Sequence, residues 1–149
     1  MFERYTERAR RCIFFARWSA GQYCSPTIET EHLLLGLLRE DPNVIPRFLP
    51  SKTAKDIRAE VEHRLPKTNA STNIASTAID IPLSNPCKRI LAYAAEEAER
   101  LRHRHVNAGH VLIGVVREED GIAGEILRSA GLNVINMRQQ MLLDETATE

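Results

Sequence analysis

The sequence predicts an all-α fold: eight helices forming a pseudo-twofold tandem repeat of two four-helix motifs. Three observations carry that prediction. First, the stretch Thr30-Glu31-His32-Leu33-Leu34-Leu35-Gly36-Leu37-Leu38-Arg39-Glu40 returns as Ala108-Gly109-His110-Val111-Leu112-Ile113-Gly114-Val115-Val116-Arg117-Glu118, at the same 78-residue offset from His32 to His110 as from Gly36 to Gly114. Second, that register extends backwards without a gap, matching Thr6 to Ser84, Arg11 to Arg89, Ala16 to Ala94, Ala20 to Ala98 and Ile28 to Val106. A tandem repeat at fixed separation decides the architecture before any single element does. Third, apolar residues recur at helical spacing between cap and stop residues along most of the chain.

Taken in order, the first helix begins at Thr6, whose hydroxyl can cap free amides, with Glu7 at the positive end of the helix dipole. Ala9, Cys12, Ile13, Ala16 and Ala20 form its apolar stripe, and Gly21 reads as its stop. Arg8, Arg10, Arg11 and Arg17 form a basic face that nearby acids balance. After the Ser25-Pro26 loop, Thr30 reads as the cap of a second helix that is apolar nearly all round, hence the buried centre of the repeat. Gly36 costs that helix about 1 kcal/mol of propensity, which is tolerable if it lets a neighbour approach closely. Pro42 ends it; a short third helix spans about 44–49, and a fourth from about Thr53 uses Ile57, Val61 and Leu65 before Pro66.

Residues 66–83 carry Asn, Ser, Thr and Ala without helical periodicity and read as the linker, with Ile79 and Ile81 alternating around Asp80 as a short extended piece. Repeat one is then 1–65 and repeat two 84–143, with a tail at 144–149. Repeat two opens at Ser84 or Asn85 with Pro86 in the first turn, a permitted place for proline. Its helices follow over about 85–101, 110–117, 122–129 and 134–143, the third stopped by Gly131. Leu127 to Met137 spans two residues more than Leu49 to Ile57, an insertion that belongs in a loop. Leu34, Leu35, Leu112 and Ile113 are expected in the core.

Composition narrows the function. With 149 residues, 43% of them hydrophobic, the chain can bury about two thirds of its unfolded surface, so no disulfide or metal is needed to hold it. Twenty basic and twenty acidic residues leave a net charge of zero, which removes the field that drives adhesion to nucleic acid or anionic lipid. Three cysteines without C-x-x-C spacing suit reduced thiols in the cytoplasm, and no run is long and apolar enough for a membrane span. Asn69-Ala70-Ser71 is a chance glycosylation sequon. Neutral charge and the lack of a heptad array predict a monomer in isolation.

At this point the residues carry a resemblance. Met1-Phe2-Glu3-Arg4-Tyr5-Thr6-Glu7-Arg8-Ala9-Arg10-Arg11, Thr30 to Leu37 with its echo, and Met137-Arg138-Gln139-Gln140-Met141 resemble the double Clp amino-terminal domain, nearest to that of ClpC-type AAA+ unfoldases. The resemblance covers nearly the whole chain. It implies the helical repeat already derived, and a module that binds adaptor proteins or exposed protein substrates for Clp ATPase and protease components. ClpC-like domains recognise phosphorylated arginine, a glutamate at the second-helix start accepting the guanidinium. Glu31 holds that position in repeat one. In repeat two Asn107-Ala108-Gly109-His110 replaces the family's Gly-Thr-Glu-His, which removes cap hydroxyl and carboxylate, although Asn107 can cap in their place. The resemblance thus implies a ligand or adaptor site at Glu31, Thr30, Thr6 and an exposed Phe2, and a degenerate second site at Ala108 and Gly109.

The same sequence argues against catalysis. No Walker A sequence is present: Gly109 to Gly114 has phosphate-loop spacing, but Val115-Val116 stands where Lys-Ser/Thr is required. His32 and His110, repeated beside a helix start, read as buried hydrogen-bonding residues, and His103, His105 and His110 lack the helical pair or cysteine partners of a zinc site. The chain is therefore expected to be no enzyme and to need no cofactor or metal. Two functional classes remain: a client- or adaptor-binding module, or a degenerate structural or regulatory repeat without client binding. Whether the module stands alone or fronts a longer ATPase is open from the sequence, the acidic tail at 144–149 fitting a natural end.

Overall fold

The computed structural model describes residues 2–65 and 80–148. Two nearly all-apolar helices lie at its centre because neither has a polar face to offer water. These are α2 (Thr30–Glu40) and α6 (Ala108–Arg117); Leu33, Leu34, Leu37, Leu38, Val111, Leu112, Ile113 and Val115 are wholly buried. Around them pack α1 (Glu7–Gln22), α3 (Val44–Phe48) and α4 (Ala54–Arg64) in repeat one, and α5 (Asn85–Arg100), α7 (Ile122–Ala130) and α8 (Val134–Thr148) in repeat two. One continuous hydrophobic core runs through both repeats. The described residues thus form the expected eight helices, and the starts of α1, α2 and α3 fall on those of α5, α6 and α7 at the 78-residue offset.

The tightest packing in each repeat is its first helix against its second, and glycine makes it possible. A Cβ at Gly36 would run into the Cys12 carbonyl oxygen and lie 2.8 Å from the Ala16 amide nitrogen. At the matching position, a Cβ on Gly114 would lie 2.6 Å from the Ile90 carbonyl oxygen. Both glycines give up helix propensity so that two backbones can touch.

Several boundaries differ from expectation for identifiable reasons. α1 passes through Gly21 to Gln22, and the chain turns at Cys24, which adopts φ 54°. The second helices begin at N-caps Glu29 and Asn107, so Thr30 is the first helical residue and not the cap. The Thr30 hydroxyl points inward, accepting from the Ala123 amide at 3.4 Å, while the Glu29 side chain takes the capping role. α8 continues to Thr148, beyond 143, since no glycine or proline interrupts Asp144 to Ala147. Gly131 stops α7 in the left-handed conformation at φ 115°, as its position predicts. The Asn69 sequon and Ile79 lie outside the described residues. The basic face of α1 is balanced as expected at Arg8 and Arg11, which reach Asp41 (3.9 Å) and the pair Glu7 and Glu40.

His32 and His110 close these second-helix starts. In each, Nδ1 accepts the backbone N–H of the N-cap residue, Glu29 or Asn107, at 2.9 Å. The neutral ring must then carry its proton on Nε2, and in His110 that proton faces His103 Nδ1 at 2.7 Å. Burial holds His32 down to about 4, and burial with the neighbouring His103 holds His110 down to about 3. The unfolded chain takes up a proton near pH 6.5 and the folded chain does not, so stability present above that pH is lost as pH falls. Each histidine should cost about 2 kcal/mol of stability between pH 7 and pH 5. Urea unfolding at the two pH values should show a smaller loss in His32→Gln, which keeps an acceptor but does not titrate.

Candidate functional site

The two repeats meet through their helix starts, and the meeting is crossed. Tyr5 pairs with Val106 and Ile28 with Leu83 in isolated parallel bridges. The Thr6 amide donates to the Val106 carbonyl at 2.9 Å, and the Ser84 amide donates to the Ile28 carbonyl at 3.0 Å. The start of α1 therefore lies beside the start of α6, and the start of α5 beside the start of α2. The hydroxyls of Thr6 and Ser84 cap their own helices, accepting from Ala9 and Cys87 amides at 3.1 and 3.3 Å. Thr6 and Glu31, grouped by the sequence reading, consequently stand at different crossings. Across the repeat boundary, the α2 start that carries Glu31 meets the α5 start at Ser84, which sequence reasoning missed. The 78-residue match to Thr6 was the signal for Ser84, but an offset does not say which helix start faces which.

At the α2–α5 crossing, Glu31 is half-buried, and the Thr30 hydroxyl donates to its Oε1 at 3.3 Å. Burial pushes its carboxyl above the usual carboxylate range, with the nearby Glu29 charge adding to the rise; its own backbone amide, Thr30 and Arg64 pull the other way. Arg64 also pairs with Glu125 on α7 at 3.5 Å. A carboxylate kept partly from water, at a helix start and short of strong donors, has unused capacity for a planar cationic donor. Behind it Gly121 holds φ 104°, and a Cβ there would lie 2.8 Å from Thr30 Cγ2, so the α7 start closes directly onto Thr30.

The α1–α6 crossing forms a cleft of about 260 Å³ lined by Thr6, Arg8, Asp41, Arg47, Asn107, Ala108 and Gly109. Asn107 is the α6 cap, its Oδ1 accepting the His110 amide at 3.2 Å. Gly109 has no side chain to present, and two other residues take its space. A Cβ at Gly109 would lie 2.6 Å from both Arg47 Nη2 and Met141 Sδ. Where the first crossing has Glu31, the matching position here has no carboxylate and lies against the chain's own Arg47 guanidinium. Phe2 is half-buried, its ring edge-on to Tyr5 at 5.0 Å, and so differs from the exposed residue expected.

Among the described residues no group of three or more His, Cys, Asp or Glu side chains is arranged to hold a metal ion, and His103 and His110 meet as a ring–ring hydrogen bond. Cys12, Cys24 and Cys87 form no disulfide; burial pushes Cys12 and Cys87 up to about 12. Thiolate chemistry at those two is therefore suppressed. Among the described residues no helix is long and apolar enough to cross a membrane.

Comparison with known proteins agrees with this architecture. The Clp repeat (R) N-terminal domain matches residues 4–130 and 82–146. The chain is 35% identical over 144 residues to the chloroplastic chaperone protein ClpC2 of Oryza sativa subsp. japonica, covering 95% of this chain and 15% of that protein. It is 34% identical over 151 residues to the ClpA homolog, an ATP-dependent Clp protease ATP-binding subunit, of Guillardia theta, covering 99% of this chain and 18% of that protein. The chain thus spans less than a fifth of the length of these relatives. Among solved structures, the N-terminal domain of the caseinolytic protease associated chaperone ClpD from Arabidopsis thaliana superposes with a TM-score of 0.73 at 28% identity, over 98% of this chain and 97% of that one. The Hsp104 N-terminal domain from Candida albicans shares the fold, with a TM-score of 0.69 at 18% identity, over 93% and 89% of the two chains. A tandem eight-helix repeat, matched from end to end by these domains, makes this chain a member of the Clp repeat N-terminal domain family.

Proposed function

We propose that the chain is a non-catalytic docking module of the Clp chaperone–protease system that receives protein substrates or adaptors, with one remaining site for an arginine-bearing or phosphoarginine ligand. The observation that carries this reading is the contrast between the crossings: Glu31 offers a half-buried carboxylate, whereas Gly109 offers none and is covered by Arg47 and Met141. A guanidinium approaching Glu31 gains a charge-assisted pair; one approaching Gly109 meets a like charge. Cysteines outside any disulfide and the absence of a membrane-spanning helix among the described residues are compatible with the cytoplasm or another reducing compartment.

Calorimetry of the full chain with phosphoarginine should give one site per chain. Glu31→Gln should weaken it ten- to a hundredfold, the loss of a charged hydrogen-bond partner being about 1.5–3 kcal/mol. Because burial raises the Glu31 carboxyl, affinity should fall on acidification at a higher pH than an exposed glutamate would impose. Equal binding by wild type and Glu31→Gln, or two equivalent sites, would refute the assignment.

The second reading, a structural or regulatory repeat without client binding, is favoured by the lost carboxylate at Gly109, whose side-chain space Arg47 and Met141 take. No binding of phosphoarginine or arginine peptides at either crossing would support it. Those two side chains also bear on restoration. In the double variant Ala108→Thr with Gly109→Glu, the new carboxylate should pair with the chain's own Arg47, and a second ligand site should emerge only when Arg47→Ala is added.

A further inference from the structure

The pseudo-twofold axis exposes a difference between the outer faces of α1 and α5. In repeat two, Arg117 lies over the Tyr93 ring at 4.1 Å and donates to Glu97 at 2.9 Å and Glu96 at 3.2 Å. The repeat-one mate of Arg117 is Arg39, which lies over the Phe15 ring at 4.3 Å, Phe15 being the mate of Tyr93. The acids are gone: Trp18 replaces Glu96 and Ser19 replaces Glu97. Among the described residues Arg39 makes no ion pair, and its second contact is the Trp18 ring at 5.0 Å. Trp18 is 47% exposed, and one turn earlier Phe14 is 59% exposed, where repeat two carries Ala92. The fold does not need these rings, since the same architecture closes over alanine and glutamate in repeat two.

We propose that Phe14, Phe15, Trp18 and Arg39 form a second docking surface, for a segment of a partner protein that places a carboxylate beside a large apolar side chain. Repeat two supplies the chemistry of the missing occupant, because the matching arginine-on-ring pair is completed there by two carboxylates of its own chain. In repeat one the acid must come from outside, and the exposed rings offer apolar contact beside it. Arg17, exposed and one turn after Phe14, extends the positive rim. This surface selects a carboxylate, whereas the site proposed at Glu31 takes a guanidinium, so the two sites recognise different groups and can be tested separately. An anionic lipid surface is the poorer fit: the chain carries no net charge, and Arg39 is held between two rings in the geometry that its mate uses for single carboxylates.

Trp18 is the only tryptophan of the chain, so its fluorescence reports on this surface directly. The full chain is titrated with a blocked hexapeptide alternating glutamate with phenylalanine and leucine, with the same peptide carrying glutamine for glutamate, and with phosphatidylglycerol vesicles. The expected result is a shift of Trp18 emission with the glutamate peptide, and about tenfold or greater weakening both for the glutamine peptide and for Arg39→Gln. Trp18→Glu, followed by calorimetry, should rebuild the internal acid of repeat two and abolish peptide binding with the helical circular dichroism unchanged. Equal response to both peptides, undiminished binding by Arg39→Gln, no response to the glutamate peptide, or a response to vesicles alone would each overturn the proposal.

Discussion

Gly36→Ala should destabilise the protein by about 3 kcal/mol or more, a large cost for adding one methyl group. Helix propensity favours the change by about 1 kcal/mol, but the new Cβ meets the Cys12 carbonyl and the Ala16 amide, which are backbone atoms that cannot swing away. Relief requires α1 and α2 to separate, and that seam holds Cys12, Ala16, Leu33 and Leu37, all wholly buried. Gly114→Ala faces the Ile90 carbonyl at 2.6 Å and should behave in the same way. Thermal unfolding should register Gly36→Ala as a fall of roughly 6–12 °C. A neutral or stabilised variant would show that the two backbones do not touch as described.

Glu97→Gln should cost about 2–4 kcal/mol, because it removes the buried negative charge at the centre of a cluster that joins three helices. Glu97 is wholly buried on α5; it accepts two hydrogen bonds from Arg138 of α8 at 2.8 Å and one from Arg117 of α6 at 2.9 Å. Burial raises its carboxyl, but Arg138, Arg117 and Arg100 together outweigh that and hold it below the usual range. A depressed carboxyl contributes stability above the unfolded pKa that disappears as pH falls through the folded one, so the penalty of the variant should shrink in acid. The arginine side chains are 22% and 26% exposed and can turn toward water, which keeps the expected cost below that of a sealed pair. Denaturant unfolding at neutral pH tests the magnitude.

The fold was legible because its signals are local or periodic. Gly36 and Gly114, the apolar runs on either side of them, and the cap residues Thr6, Thr53 and Ser84 all report on their own helices. Burial of Leu34, Leu35, Leu112 and Ile113 follows from those runs. The candidate site was less legible because it depends on which helix start faces which. Nothing in the spacing says that Thr6 crosses to α6 while the α2 start that carries Glu31 meets the α5 start at Ser84. Thr30 invited a cap reading, yet the residue before it, with His32 reaching back, closes the helix and frees the threonine for α7. Arg47 and Arg39 gave no sequence signal of their own. Their significance appears only when their surroundings are compared with the matching positions across the axis.

The central claim is that two repeats share one fold while one helix crossing keeps its ligand site. Amide chemical-shift mapping of the full chain during titration with phosphoarginine tests it most directly. Saturable shifts should cluster at Glu29 to His32, Ser84 and Gly121, with Thr6, Ala108 and Gly109 left in place. Shifts centred on Thr6 and Gly109, or of equal size at both crossings, would contradict the account.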